Sequence, residues 1–450
     1  MTNYLNHSFK IILTLFLSIL LLSIVPEKYY ETLNIKKPNI LADLNLINTQ
    51  NKSLIKQQIV FQDTCKQGIT CLEDYSDTQE AKNKFFSALL DLKNKEISKV
   101  RIAFFGDSYI DGDIVTSDLR DTLQAIFGGN GVGFVPICSE TNFFRQTVRH
   151  TYKNFESNTI LTPNAHAASL ATGGYCFIPK QGNYLRYEGV KYSPRLMLFN
   201  DIKIFYRSSN NYTANYQTKE GKGTFNLVGD NSIHQATLHN QHTNDISFTF
   251  PSSEDIKLYG VSLEDSTGIY LDNFAMKSNS GLALAKINNQ NHQQFDSLQH
   301  YQCVFLQYGL NIASANAKNF TAYEKEMSKI IDTYKKNYPK AAIIIVGISD
   351  RSSRQNGTYQ TMPSIPYMID AQRAIARNNK IIFWNLFEAM GGQNSMVDLV
   401  NAKPALANKD YTHLKFNGGK KIAHILLSSI LYEFEKYQNK IEINTHNTHL

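Results

Sequence analysis

The chain has 450 residues, of which 42% are hydrophobic and 19% charged, and a net charge of +7. It is long enough for roughly two or three domains and too apolar for a disordered polymer. Its 46 Lys/Arg and 39 Asp/Glu are intermixed, without the clustered basic stripe and interleaved aromatics that a nucleic-acid partner demands.

In chain order, Lys10 precedes Ile11–Val25, fifteen residues interrupted only by Thr14, Ser18 and Ser23. This is the charged start and apolar run of an export signal, and it is short for a bilayer span. Residues 1–26 are expected to be a signal peptide or a membrane anchor, and no small-residue cleavage site decides between them. Residues 27–75 read as a tether rich in Asn, Lys and Gln, ending in a loop in which Cys65 and Cys71 are close enough to form a disulfide. Cys138 and Cys176 offer a second pair. Cys303 lies in an apolar run and reads as a buried thiol.

Ser76–Lys95 carries an amphipathic helical pattern, with Ser76 or Asp77 as its cap. Val100–Phe105 is an apolar run with the length and residue types of a buried strand. Asp113–Phe127 follows as a helix stopped by Gly128. Between strand and helix stands Gly106-Asp107-Ser108, which puts a serine on a tight crossing among backbone N–H groups able to hold negative charge.

Residues 139–263 differ in texture. Short alternating stretches such as Ile202–Tyr206 and Ile246–Phe250 are separated by turns rich in Asn, Gly and Ser, as in an all-β sandwich. Strand and helix then alternate again: Tyr301–Gln307 a strand, Ala322–Tyr338 a helix, Ala341–Val346 a strand, Ile365–Arg377 a helix, Ile381–Leu386 a strand and Gly418–Tyr437 a closing helix. Such alternation implies a parallel sheet covered on both faces, a three-layer αβα sandwich, with its ligand site beyond the carboxyl ends of the strands. The expected organisation is an α/β domain of residues 76–138 and 264–440, interrupted by a β module of residues 139–263.

A serine hydroxyl needs a base within reach and a third group to orient that base. The chain contains a single Asp-x-x-His, Asp410-Tyr411-Thr412-His413, just before the last helix. At that spacing the carboxylate can accept Nδ1–H and leave Nε2 facing Ser108. The Ser108 amide and the Asn311 side chain, which follows Gly309-Leu310 after a strand, are candidate oxyanion donors. The same residue types also serve plainer ends: Asn after a strand forms turns, and a histidine can simply fill a core.

Gly-Asp-Ser, Gly-x-Asn and Asp-x-x-His in this order resemble the SGNH (GDSL-type) hydrolase superfamily. Ile102–Val135, Gly347–Ser352, Gln372-Arg373, Ala389–Gly392 and Asp410–Gly419 are similar to one branch of it. That branch is the bacterial peptidoglycan O-acetylesterases that carry a carbohydrate-binding-like β module after the first block. The resemblance implies Ser108 as nucleophile, His413 as general base and Asp410 as its orienting partner, with no metal or organic cofactor. It implies an oxyanion hole of the Ser108 amide, Asn311 and a third amide. That third position falls at Ser278, where the family usually has glycine, with Gly281 as a slipped alternative. The expected activity is a serine esterase removing O-acetyl groups from an envelope glycan, with peptidoglycan muramoyl residues as the expected substrate, in the periplasm or cell envelope. The rival readings are a glycan O-acetyltransferase on the same fold and a non-catalytic glycan-binding protein.

Overall fold

The computed structural model describes residues 65–448 except residue 164. The predicted export segment and most of the tether lie outside the described residues. Cys65 and Cys71 form the expected disulfide, with Cα atoms 5.8 Å apart. No helix among the described residues is long and apolar enough to cross a membrane.

The chain opens with β1 (Leu72–Asp74), α1 (Glu80–Lys93), β2 (Lys99–Gly106) and α2 (Thr116–Phe127). Nine strands follow: β3 (Gly133–Pro136), β4 (Arg149–Thr159), β5 (Tyr175–Glu188), β6 (Asp201–Arg207), β7 (Tyr212–Thr218), β8 (Lys222–Leu227), β9 (Ile233–Leu238), β10 (Asp245–Thr249) and β11 (Lys257–Glu264). Then come β12 (Gly268–Ala275), α3 (Asn289–Gln299), β13 (Tyr301–Gln307), α4 (Thr321–Asn337) and β14 (Ala342–Val346). The chain closes with β15 (Ser352–Gln355), β16 (Thr358–Thr361), α5 (Ile365–Asn378), β17 (Ile382–Trp384), α6 (Leu386–Met390), α7 (Ser395–Asn401) and α8 (Phe416–Thr448).

One sheet has the order β1-β17-β14-β13-β2-β12, parallel except for β1 at its edge. Helices α1, α2 and α8 pack together as one layer, and α3, α4 and α5 as another. Coverage on both faces explains why β14 and residues 102–105 of β2 are apolar and buried. Phe104 stacks on Phe305 of β13, whereas Phe105 meets Tyr334 of α4 edge-on.

The other sheet is antiparallel and contains β3 to β11. It is one hydrogen-bonded network rather than the two separate sheets of the expected sandwich. The long β5 joins its parts by pairing with β4, β10 and β11. Membership begins ahead of residue 139, since β3 pairs with β11.

A buried charge network ties the two sheets together. Arg101 of β2 pairs with Glu264 at the end of β11, and lies 3.1 Å from Asp272 of β12. Lys99 and Lys203 each approach Glu264 at 2.6 Å. Asp272 also accepts from the Tyr301 hydroxyl at 2.8 Å and the Phe134 amide at 3.0 Å.

Three expectations need correction. Helix α2 starts at Thr116, not Asp113. Asp113 has φ 64°, and its buried carboxylate is drawn to Arg120, Thr116, Thr147 and Asn273 instead of capping the helix. Cys138 and Cys176 are both free: Cys176 faces Asn158 across the β4–β5 pair, and burial pushes the Cys138 thiol up to about 12. The strand expected to reach Leu386 stops at Trp384, because the Asn385 side chain accepts the Glu388 amide and starts α6.

Candidate active site

The loops after β2, β12, β13 and β14 leave the same edge of the parallel sheet, as parallel strands require. β2 ends at Gly106, where a Cβ would stand 2.7 Å from Ile110 Cδ1. This close packing turns the chain sharply into Asp107 and Ser108.

The second loop is held from the far end of the chain. Gly419, near the start of α8, lies so close to Ile114 that a Cβ would be 1.9 Å from its carbonyl oxygen. Gly419 thus lets the start of α8, just after the His413 loop, press onto the segment following Ser108. The result is a continuous hydrogen-bonded chain. Ser108 Oγ is 2.9 Å from His413 Nε2, and His413 Nδ1 is 2.8 Å from Asp410 Oδ2. The other carboxylate oxygen of Asp410 accepts the His413 and Thr412 amides, each at 3.0 Å. Partial burial alone raises the Asp410 carboxyl, but these amides and the imidazole outweigh it and hold the group below its ordinary value.

Ser108 is half-buried, while the His413 and Asp410 side chains keep 39% and 48% of their surface exposed. Water therefore has access to the base. Ser108 does not sit at the N-terminus of α2, because a 3-10 turn at Asp111–Asp113 separates the two.

Among the described residues, the Ser108 and Ser278 amides have no hydrogen-bond acceptor. Ser278 adopts φ 61° in the loop after β12, the left-handed conformation that glycine takes without cost. The slipped alternative is weaker, since the Gly281 amide already donates to Asn279 Oδ1 at 2.9 Å. Replacing Ser278 with glycine is expected to leave stability unchanged or raise it by up to about 1 kcal/mol, as thermal unfolding can measure.

Asn311 is engaged in a way the sequence did not suggest. Its Nδ2 donates to Asp107 Oδ2 at 3.2 Å and to the Asn279 carbonyl at 3.0 Å. Both of its hydrogens have acceptors, so an oxyanion would have to share one of them. Gln372 braces this loop by donating to the Tyr308 carbonyl at 2.8 Å while accepting the Ile348 amide at 2.7 Å.

Asp107 is the residue that motif reading left without a role. It accepts the Tyr109 amide at 2.9 Å as well as Asn311. Burial pushes its carboxyl up to about 7, against the opposing pull of the Tyr109 amide, His413 and Gln307. With the folded value above the unfolded one, the folded state keeps its proton longer. This contribution to stability is full below about pH 4 and is lost as pH rises through about 7. Asp107→Asn is therefore expected to gain on the wild type in unfolding free energy as pH is raised from 4 to 8, as denaturant titration at several pH values can test.

No protein-family model and no curated protein matches the chain. Solved structures do. A structure described as a peptidoglycan O-acetylesterase superposes with a TM-score of 0.67 at 20% identity, covering 81% of this chain and 99% of that one. A Bacillus subtilis protein gives a TM-score of 0.32 at 10% identity, over 63% of this chain and 90% of its own. A family two carbohydrate esterase from Cellvibrio japonicus gives 0.25 at 7%, over 63% and 99%. The last two carry no weight at those scores. The first establishes a common architecture: this chain shares its fold with a solved peptidoglycan O-acetylesterase.

Proposed function

We propose that the protein is a serine esterase of the SGNH type that removes O-acetyl groups from a cell-envelope glycan, with peptidoglycan as the substrate. The observation that carries this reading is the unbroken Ser108–His413–Asp410 chain. In the proposed reaction Ser108 Oγ attacks the acetyl carbonyl while His413 Nε2 takes its proton. Asp410 holds the imidazole in the tautomer that leaves Nε2 free to accept. The oxyanion lies against the Ser108 and Ser278 amides, with Asn311 as the third donor. His413 then gives that proton to the sugar oxygen as its bond to the acetyl carbon breaks, and the sugar leaves as a free hydroxyl. Water, deprotonated by the same imidazole, adds to the acetyl-serine; the Oγ–acetyl bond then breaks, the imidazolium returns the proton to Ser108 Oγ, and acetate leaves.

The exposed His413 and Asp410 favour hydrolysis over transfer, because a transferase must keep water from its acyl-enzyme. In this reading the catalytic part comprises residues 76–138 and 264–440, extended by β1 and less β3, which belongs to the sheet of the β module that lies between. The Cys65–Cys71 disulfide supports export to an oxidising compartment, with the Ile11–Val25 segment as signal or anchor.

Incubation with an acetyl donor and sugar acceptors tests the class of reaction. Free acetate is expected to outpace acetylated acceptor; the reverse would make the protein a transferase.

A further inference from the structure

Beside the His413 loop stands a feature that the proposed reaction does not use. The β15–β16 hairpin projects from the chain after β14, and Tyr359 near its tip stacks on Tyr411, with ring centroids 3.7 Å apart and planes at 10°. Tyr411 lies between Asp410 and His413 in the chain. Tyr359 nevertheless stays 42% exposed.

The hairpin is anchored at its base. The Ser352 amide donates to the Tyr411 carbonyl at 3.0 Å, and the Met362 amide to the Arg351 carbonyl at 2.8 Å. Asn394 closes a reciprocal pair with Thr361, at 3.0 Å and 2.7 Å. Tyr359 is therefore presented rigidly rather than on a loose loop. Directly opposite it in the hairpin is Arg354, and directly paired residues of an antiparallel ladder share a face. Arg354 is exposed, and its Nε donates only weakly, to Gly357 O at 3.3 Å.

We infer that this hairpin is a glycan subsite: Tyr359 stacks against one pyranose ring of the substrate chain while Arg354 meets a carboxylate carried by that glycan. A pyranose ring shows C–H groups on its faces and hydroxyls at its edge, so an exposed aromatic plane is its natural support. A guanidinium on the same face suits a carboxylate rather than a neutral sugar. Connection to the His413 loop through both the Tyr411 stack and the Ser352 bond places the subsite beside the reacting ester. The inference rests on the esterase reading above and adds which surface would hold the glycan beside the reacting ester.

The test compares Tyr359→Ala with wild type on O-acetylated peptidoglycan and on a chromogenic acetate ester. The ratio of kcat/KM for glycan to that for the small ester is expected to fall about tenfold, mainly through KM, and Tyr359→Trp should restore it. An equal fall on both substrates would mean that Tyr359 only supports the His413 loop, and no fall would mean that it is idle; either overturns the subsite. Binding separates this from the esterase reading. Soluble acetylated disaccharide–peptide fragments should bind the Ser108→Ala protein, and adding Tyr359→Ala should weaken that binding about tenfold. Equal binding, or none to either protein, overturns the subsite whether or not acetate is released.

Discussion

Replacing Ser108 with alanine is expected to lower turnover of a chromogenic acetate ester by roughly 10⁵-fold or more, with the fold intact. The loss is that large because Ser108 Oγ is the atom that would become acylated, and among the described residues it is the hydroxyl facing His413 Nε2. His413→Ala should cost about as much, and the double variant little more than either single one, since nucleophile and base act as a unit. Asp410→Asn removes the carboxylate partner of Nδ1 and is expected to cost about 10⁴-fold. Steady-state kinetics with far-UV circular dichroism as the folding control checks all four. Turnover by Ser108→Ala equal to wild type would leave a glycan-binding protein on an esterase fold.

The largest stability effect is expected at Arg101. Its side chain is 2% exposed and faces Glu264 and Asp272, both fully buried. Burial works against its charge, but the two carboxylates more than compensate and raise the guanidinium further above its ordinary value. Arg101→Ala would leave both carboxylates facing a void, with Lys99 and Lys203 as the cations still beside Glu264. A loss of about 3–5 kcal/mol in unfolding free energy is expected from denaturant titration. Because Glu264 closes β11 and Asp272 sits in β12, the loss should appear as loosening between the two sheets. A shift below about 1 kcal/mol would show that the network is not what joins them.

The parts of the fold that burial alone determines were legible. Tyr301–Gln307 is the strand expected, and Ala341–Val346 differs from its strand by one residue, because a parallel strand covered on both faces has to be an apolar run. β12 was missed for the converse reason. Asp272 and Asn273 interrupt its apolar pattern yet are buried, each satisfied by partners far along the chain. The start of α2 was misplaced because Asp113 answers to Arg120 and Thr147 rather than to its own helix. Pairing Cys138 with Cys176 rested on count and compartment, and neither carries the strand register that decides it.

At the site, residue types and order suggested Ser108, Asp410 and His413, and the structure brings the three within hydrogen-bonding distance. What the sequence withheld were relations among loops. Examples are the carboxylate and carbonyl that occupy Asn311, the left-handed backbone at Ser278 and the stacking of Tyr359 on Tyr411. Each depends on a partner 32 residues or more away, except the conformation of Ser278, to which a serine gives no clue.

The central claim is acetyl removal from an envelope glycan by Ser108, and acetate release tests it most directly. Peptidoglycan carrying O-acetyl groups, and the same material after mild base treatment, should be incubated with wild type and with Ser108→Ala. The account predicts acetate only from wild type acting on the acetylated material. Acetate release by Ser108→Ala at the wild-type rate, or none from acetylated peptidoglycan by a wild type that hydrolyses small acetate esters, would contradict it.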